Sequence, residues 1–137
     1  MARIRDRTTA FAKLVVAGKK IAGESEILAC RRHLEDVKRS KSRGFDYKFD
    51  VGEAEKAIDI ANELKIGEGE EIQDLNTKGF QEFIIGSLHG WKQKRTGYRR
   101  FREAYIQIAR QNGKSLLGGA EAVNFSTFSG YNEGRIF

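Results

Sequence analysis

The chain has 137 residues, 39% of them hydrophobic, which suits one ordinary domain with a buried core. No apolar run approaches the ~20 residues a membrane span needs, and the charged opening Met1–Arg7 is not followed by the apolar segment of a secretory signal, so a soluble, cytosolic protein is expected. The formal charge of +6 is uneven: Met1–Arg43 carries twelve Lys/Arg against five Asp/Glu, residues 51–90 carry three against nine, and Trp91–Arg102 carries six basic residues and no acid, which makes a nucleic-acid or phosphate partner plausible there.

The first apolar cluster, Phe11, Leu14, Val15 and Val16, stops at Gly18 and predicts a helix over about Thr8–Ala17. Between Glu24 and Ser40 the residues Ile27, Cys30, Leu34 and Val37 recur at three- and four-residue steps, with Arg31, Arg32, Glu35 and Lys38 on the other face, which predicts an amphipathic second helix. Asp50 with Glu53 three residues on has the form of a capping box, and Ala54, Ala57, Ile58, Ala61 and Leu64 lie beyond it along one face, so a third helix is expected over about Val51–Lys65. The Gly/Glu-rich run Gly67–Glu71 has no apolar period and marks a boundary between a helical region, 1–71, and a second region, 72–137.

Beyond it, Thr77 is placed to cap a helix carrying Phe80, Phe83, Ile84 and Leu88 and closed by Gly90. The basic stretch with Gly97 reads as a turn or hairpin, either solvated or, given Trp91, Tyr98 and Phe101 among its cations, a nucleic-acid contact. From Glu103 to Ala109 the residues Ala104, Ile106 and Ile108 alternate with Tyr105 and Gln107, the period of a strand. Lys114–Phe128 reads as a further helix, in which Gly118 and Gly119 would allow close approach to a sheet, and Arg135–Phe137 as the opening of another strand. The single Cys30 falls on the apolar stripe of the second helix and reads as core, and the isolated His33 and His89 read as surface or structural residues.

The segment Ala109-Arg110-Gln111-Asn112-Gly113-Lys114-Ser115, between a predicted strand and a predicted helix, carries the strongest chemical signal. Gly113 would let backbone amides approach phosphates, Lys114 would reach the β- and γ-phosphates, Ser115 would offer its hydroxyl to Mg²⁺, and the helix N-terminus adds its partial positive charge. Ile108 stands where the general phosphate-loop pattern has its first glycine, so a plain glycine turn feeding a surface helix is the competing reading. The resulting fold class is α/β: a helical N-terminal portion leading into the opening strand, loop and helix of a P-loop NTPase sheet, truncated before the rest of that sheet.

The strings Phe80-Gln81-Glu82-Phe83-Ile84-Ile85-Gly86-Ser87-Leu88-His89-Gly90-Trp91-Lys92, Arg99-Arg100-Phe101-Arg102-Glu103-Ala104-Tyr105-Ile106 and Arg110–Ser115 resemble the large terminase subunit of tailed bacteriophages. Cys30-Arg31-Arg32-His33-Leu34 and Gly44-Phe45 resemble, more weakly, the helical segment before that family's ATPase core. The family's phosphate loop typically lacks the first glycine and has an arginine at this place, so the departure at Ile108 agrees with the resemblance. The resemblance implies an ATP-driven motor that translocates viral DNA into a procapsid, with ATP and Mg²⁺ as cofactors. It implies a site of Gln81 at the adenine edge, with Arg110, Gln111, Asn112, Gly113, Lys114 and Ser115 at the phosphates; Arg110 and Lys114 are catalytic and Ser115 holds Mg²⁺. This chain has Gly79-Phe80 where the family usually has Pro-Trp.

Double-stranded DNA, a small terminase subunit, a portal protein and further copies of the motor are the implied partners, in the cytoplasm of a bacterial host. The acidic pair of a complete NTPase and the family's nuclease part are not met before Phe137, so little ATP turnover is expected of the chain by itself, with Glu103, Glu121 and Glu133 as the fallback carboxylates. Two other readings stay open: a nonenzymatic nucleic-acid-binding or assembly module with a vestigial loop, and a small P-loop kinase or other NTPase, against which the Phe80–Lys92 string weighs.

Overall fold

A computed structural model describes residues 5–63, 65–66, 73–74, 79–108 and 121; for 65–66 and 73–74 only the backbone is described. The elements run α1 (Arg7–Val16), α2 (Glu24–Arg39), β1 (Tyr47–Phe49), α3 (Val51–Glu63), β2 (Lys65–Ile66), β3 (Gln73–Asp74), α4 (Gly79–Gly90) and β4 (Trp91–Gln93).

Local signals account for the helix ends. Asp6 caps α1 by accepting from the Thr9 amide at 3.0 Å. At the other end Gly18 adopts φ +75°, with Gly18 N–H donating to Val15 O at 3.0 Å and Lys19 N–H to Leu14 O at 2.9 Å, the paired closure that a left-handed residue permits. Asp50 caps α3 through the Glu53 amide at 3.1 Å, as the capping-box spacing predicts. That helix stops at Glu63, and Lys65, expected at its end, belongs instead to β2, paired antiparallel with β3.

Helix α4 is the centre of the packing, against α1 and α3. Its glycines make room: a Cβ at Gly86 would collide with Thr8 Oγ1, and one at Gly90 would collide with the Phe49 ring and lie 3.0 Å from Ala54 Cβ. The small face of α3 meets it, and Ala57, Ile58 and Ala61 form one buried cluster with Ile85, with Ile84 and Ile108 packed on it. On the other side Phe11, Ala12, Val15, Cys30 and Phe83 form a second cluster between α1, α2 and α4. Arg7 fastens the start of α1 to α3, its Nε donating to Glu55 Oε2 at 2.8 Å and its other guanidinium nitrogen to Asp59.

Directly after α4 the chain enters β4, which pairs antiparallel with β1 in the register Tyr47↔Gln93, Lys48↔Lys92 and Phe49↔Trp91. It then turns at Gly97 (φ +74°) and returns, with a bridge between Lys92 and Arg99 and Arg100 N–H donating to Trp91 O at 2.9 Å. The hairpin expected over the basic stretch is therefore present. Its partner β1 has no counterpart among the elements expected from the sequence.

Residues 103–108 correct the expected strand. They are in neither a helix nor a paired strand, Tyr105 is 90% exposed, and Ile108 packs on the α3–α4 cluster. Alternation of apolar and polar residues makes a segment able to pair, but a strand exists only where a neighbouring backbone receives its hydrogen bonds, and none is assigned to it among the described residues. The described fold is thus mostly helical, with small two-stranded antiparallel sheets. The boundary at Gly67–Glu71, the cap at Thr77, the helix over Lys114–Phe128 except for the helical Glu121, and the strand at Arg135–Phe137 lie outside the described residues.

Candidate functional site

Of the expected site residues, Gln81 is described and Arg110, Gln111, Asn112, Gly113, Lys114 and Ser115 lie outside the described residues. Gln81 is on the first turn of α4 and 7% exposed, with an interaction partner, so it is not a solvated helix residue. Phe83 beside it is core, and Phe80 and Ile84 are partly buried against the two clusters. Between α2, α4 and residues 101–108 run two cavities of about 330 and 380 Å³, which share Ala29, Phe83, Ile84, Tyr105 and Ile106 as walls. Ser87 Oγ, buried without a hydrogen bond, belongs to a wall residue of the first of them.

His33 and the basic hairpin form a polar junction between α1, α2 and β4. His33 is 3% exposed. Trp91 Nε1–H, which can only donate, gives its hydrogen bond to His33 Nδ1 at 3.1 Å, leaving the ring proton on Nε2, 2.9 Å from Thr9 Oγ1. Phe49 meets the imidazole edge-on with centroids 4.7 Å apart. Burial is the main reason the His33 pKa is lowered to about 4, against the opposing pull of Asp6 and Asp36. His33 is therefore held neutral, a structural residue whose partners come from other elements.

One helical turn on, Asp36 is 3% exposed and accepts from Arg100 at 2.8 Å and from Arg39 at 3.3 Å. The Arg100 guanidinium lies over Tyr47 at 4.5 Å, Phe101 at 5.0 Å and Trp91 at 5.1 Å from the ring centroids. Two members of the basic stretch, Trp91 and Arg100, thus point into the molecule rather than to solvent. Sequence periodicity has no means to find this junction, since in α2 it singles out Ile27, Leu34 and Val37 beside Cys30, whereas the residues buried there are Cys30, His33 and Asp36.

Cys30 is core as expected, and burial is the main cause of its thiol pKa rising to about 11, so it is neither nucleophile nor ligand at neutral pH. At the far end of α4, His89 Nε2 lies 2.9 Å from Glu121 Oε2 in a buried pair. Glu121, one of the fallback carboxylates, is therefore bound to a histidine, while Glu103 is exposed and Glu133 is outside the described residues. Among the described residues no three His, Cys, Asp or Glu side chains are grouped to hold a metal ion, and no helix is long and apolar enough to cross a membrane.

Comparison with known families bears on the later part of the chain. Residues 79–137 match the family model of the terminase large subunit, ATPase domain. This segment is similar to terminase ATPase sequence. The match opens on the first residue of α4 and takes in Gln81, the basic hairpin and the loop 110–115. No curated protein and no solved structure matches the chain. The terminase resemblance carried by Phe80–Lys92 and Arg110–Ser115 is upheld over this segment.

Proposed function

We propose that the chain supplies the adenine-side and phosphate-side residues of the ATP site in a DNA-translocating terminase motor, as a helical region, 1–71, joined to the opening of the ATPase domain, 72–137. The observation that carries this is the single family match over 79–137, in which Gln81 and the loop 110–115 fall together. In this reading Gln81 hydrogen-bonds the adenine edge. Its burial supports that role, because a desolvated amide distinguishes donor from acceptor more sharply than an exposed one. Gly113 admits the phosphates to the backbone amides, Gln111 and Asn112 shape that loop, Lys114 reaches the terminal phosphates, and Arg110 faces the γ-phosphate.

The donor set of the loop, one ammonium, one guanidinium, one hydroxyl and backbone amides, suits a triphosphate whose Mg²⁺ is held by Ser115 Oγ with phosphate oxygens and water. Bound there, the ion would neutralise charge on the transferring phosphoryl group. Hydrolysis further needs a carboxylate free to hold the metal and position water. Of the described carboxylates, Asp36 is committed to Arg100 and Glu121 to His89. Little or no turnover is expected of the chain alone. Duplex DNA, a small terminase subunit, a portal protein and further motor copies are the partners in a bacterial cytoplasm.

Thermal unfolding with and without Mg·ATP tests the reading. A rise in Tm with ATP that is lost in Lys114→Ala and reduced in Gln81→Ala is expected. ATP protection that is absent, or unchanged in Lys114→Ala, would remove the phosphate site and leave the nonenzymatic module with a vestigial loop.

A further inference from the structure

Helix α4 carries a buried stripe in which Gln81, Ile85 and His89 recur at four-residue steps and are 7, 0 and 8% exposed. At 1.5 Å per residue the stripe runs about 12 Å from the first turn of the helix to its last. Two contacts bring the later chain onto this side of α4. Ile108 packs on the cluster that Ile85 forms with Ala57, Ile58 and Ala61. Glu121 meets the far end, its Oε2 accepting from His89 Nε2–H at 2.9 Å. In sequence, Arg110 follows the first contact by two positions and Ser115 precedes the second by six.

Folding energy does not account for the second contact. Both side chains are buried, Glu121 also at 8% exposure, and Glu121 Oε1 has no hydrogen bond. Taking a carboxylate out of water offsets most of what its pairing returns, and a buried oxygen without a donor adds to the cost. An apolar pair of the same volume would hold the two segments together as well or better. What a hydrogen bond supplies and an apolar contact does not is direction: Nε2 and Oε2 fix where Glu121 lies along α4.

We infer that His89 and Glu121 are positioning residues for the nucleotide site: their hydrogen bond, with Ile108 as the other anchor, sets the phosphate segment 110–115 in register with Gln81 on the same helix, so that adenine and phosphates are met together. The inference rests on the proposed ATP site and adds the device that aligns its two parts. Neither residue is assigned a contact with the nucleotide.

The test is isothermal titration calorimetry of the full 137-residue chain with Mg·ATP and with Mg·tripolyphosphate, since tripolyphosphate needs the phosphate segment but not its alignment with Gln81. In His89→Leu the affinity for ATP should fall roughly tenfold while that for tripolyphosphate stays, so that the ratio of the two falls. His89→Gln, whose amide N–H can take the place of Nε2–H, should restore most of the ratio. Val15→Ala, a cavity-forming change in the cluster between α1, α2 and α4, should lower Tm and leave the ratio as it is. Should His89→Leu not fold, Glu121→Ala removes the same hydrogen bond from its other end and is read in the same way. An unchanged ratio in folded His89→Leu or Glu121→Ala, a His89→Gln no better than His89→Leu, or an equal fall of the ratio in Val15→Ala would overturn the inference and leave the ATP site standing. A parent chain that binds neither ligand, or binds both without need of Lys114, would remove the ATP site and the inference with it.

Discussion

Helix α4 and the hairpin that follows it are held in opposite ways. Towards α3 the contact is made by Ala57, Ile58, Ala61 and Ile85, small and aliphatic, with glycine at Gly90 admitting Ala54 and Phe49. Towards α2 the helix itself packs through Phe83 in the apolar cluster with Phe11 and Cys30, and the hairpin just past its end is held by an imidazole, an indole, a carboxylate and a guanidinium: His33, Trp91, Asp36 and Arg100. The first kind of contact is non-directional and tolerates small changes of shape. The second depends on each donor meeting its acceptor, because a buried polar group left unpaired costs far more than its hydrogen bond contributes.

That difference should be measurable by urea unfolding. Trp91→Ala removes the largest fully buried side chain and leaves His33 Nδ1 without its donor, and a loss of about 3–5 kcal/mol is expected, enough to threaten the fold of a domain this size. Ile58→Val, equally buried but in the aliphatic contact, should cost about 1 kcal/mol. Trp91→Phe separates the two contributions of the indole, since it keeps an aromatic ring but not the N–H. Comparable losses for Ile58→Val and Trp91→Ala would break the contrast.

The same contrast dictates where the response to pH arises. His33 has its pKa lowered in the folded protein, chiefly by burial, to about 4 from 6.5. The unfolded chain therefore binds the proton first as pH falls. The stability due to a neutral His33 is fully present above pH 6.5, is lost progressively down to about pH 4, and changes no further below that. The shift corresponds to an order of 3 kcal/mol. Stability measured at steps between pH 7 and 4 should fall in the parent and fall less in His33→Gln, while Ile58→Val should fall as the parent does. A His33→Gln profile parallel to the parent's would show that the junction is not the titrating element.

Legibility in the sequence divides along the same line. The periodicity in Phe11–Val16, Ile27–Val37 and Ala54–Ala61 places α1, α2 and α3 within a residue or two, and the Asp50–Glu53 spacing gives a cap that forms as expected. These signals are local, a few residues deep. β1 is three residues long, and its partner Trp91–Gln93 lies more than forty positions away, so neither its existence nor its register has a local trace. Isolation along the chain gives His33 a surface or structural role. It is structural because Thr9 and Trp91, on other elements, complete its hydrogen bonds. The alternation in residues 103–108 is real, but alternation does not supply a partner backbone. The terminase strings put Gln81 and the loop within one matched segment. Composition and spacing alone leave the loop between a phosphate cradle and a plain turn.

The smallest expected effect lies on the outside of the same hairpin whose inside holds the junction. Lys48 is exposed and directly opposite Lys92, so the repulsion between the two opposes the pairing of β1 with β4. Lys48→Glu replaces that repulsion by an attraction across a single strand pair, and cross-strand pairs of opposite charge contribute roughly 0.2–1 kcal/mol. The variant should therefore be more stable than the parent, by about that amount at low salt and by less at high salt, where the Debye length falls to about 3 Å at 1 M. No buried contact is touched, so the gain should add to the losses measured at Ile58 but not to those at Trp91, whose backbone pairing is part of the same ribbon. A destabilised Lys48→Glu would mean that Lys48 already has an opposing partner.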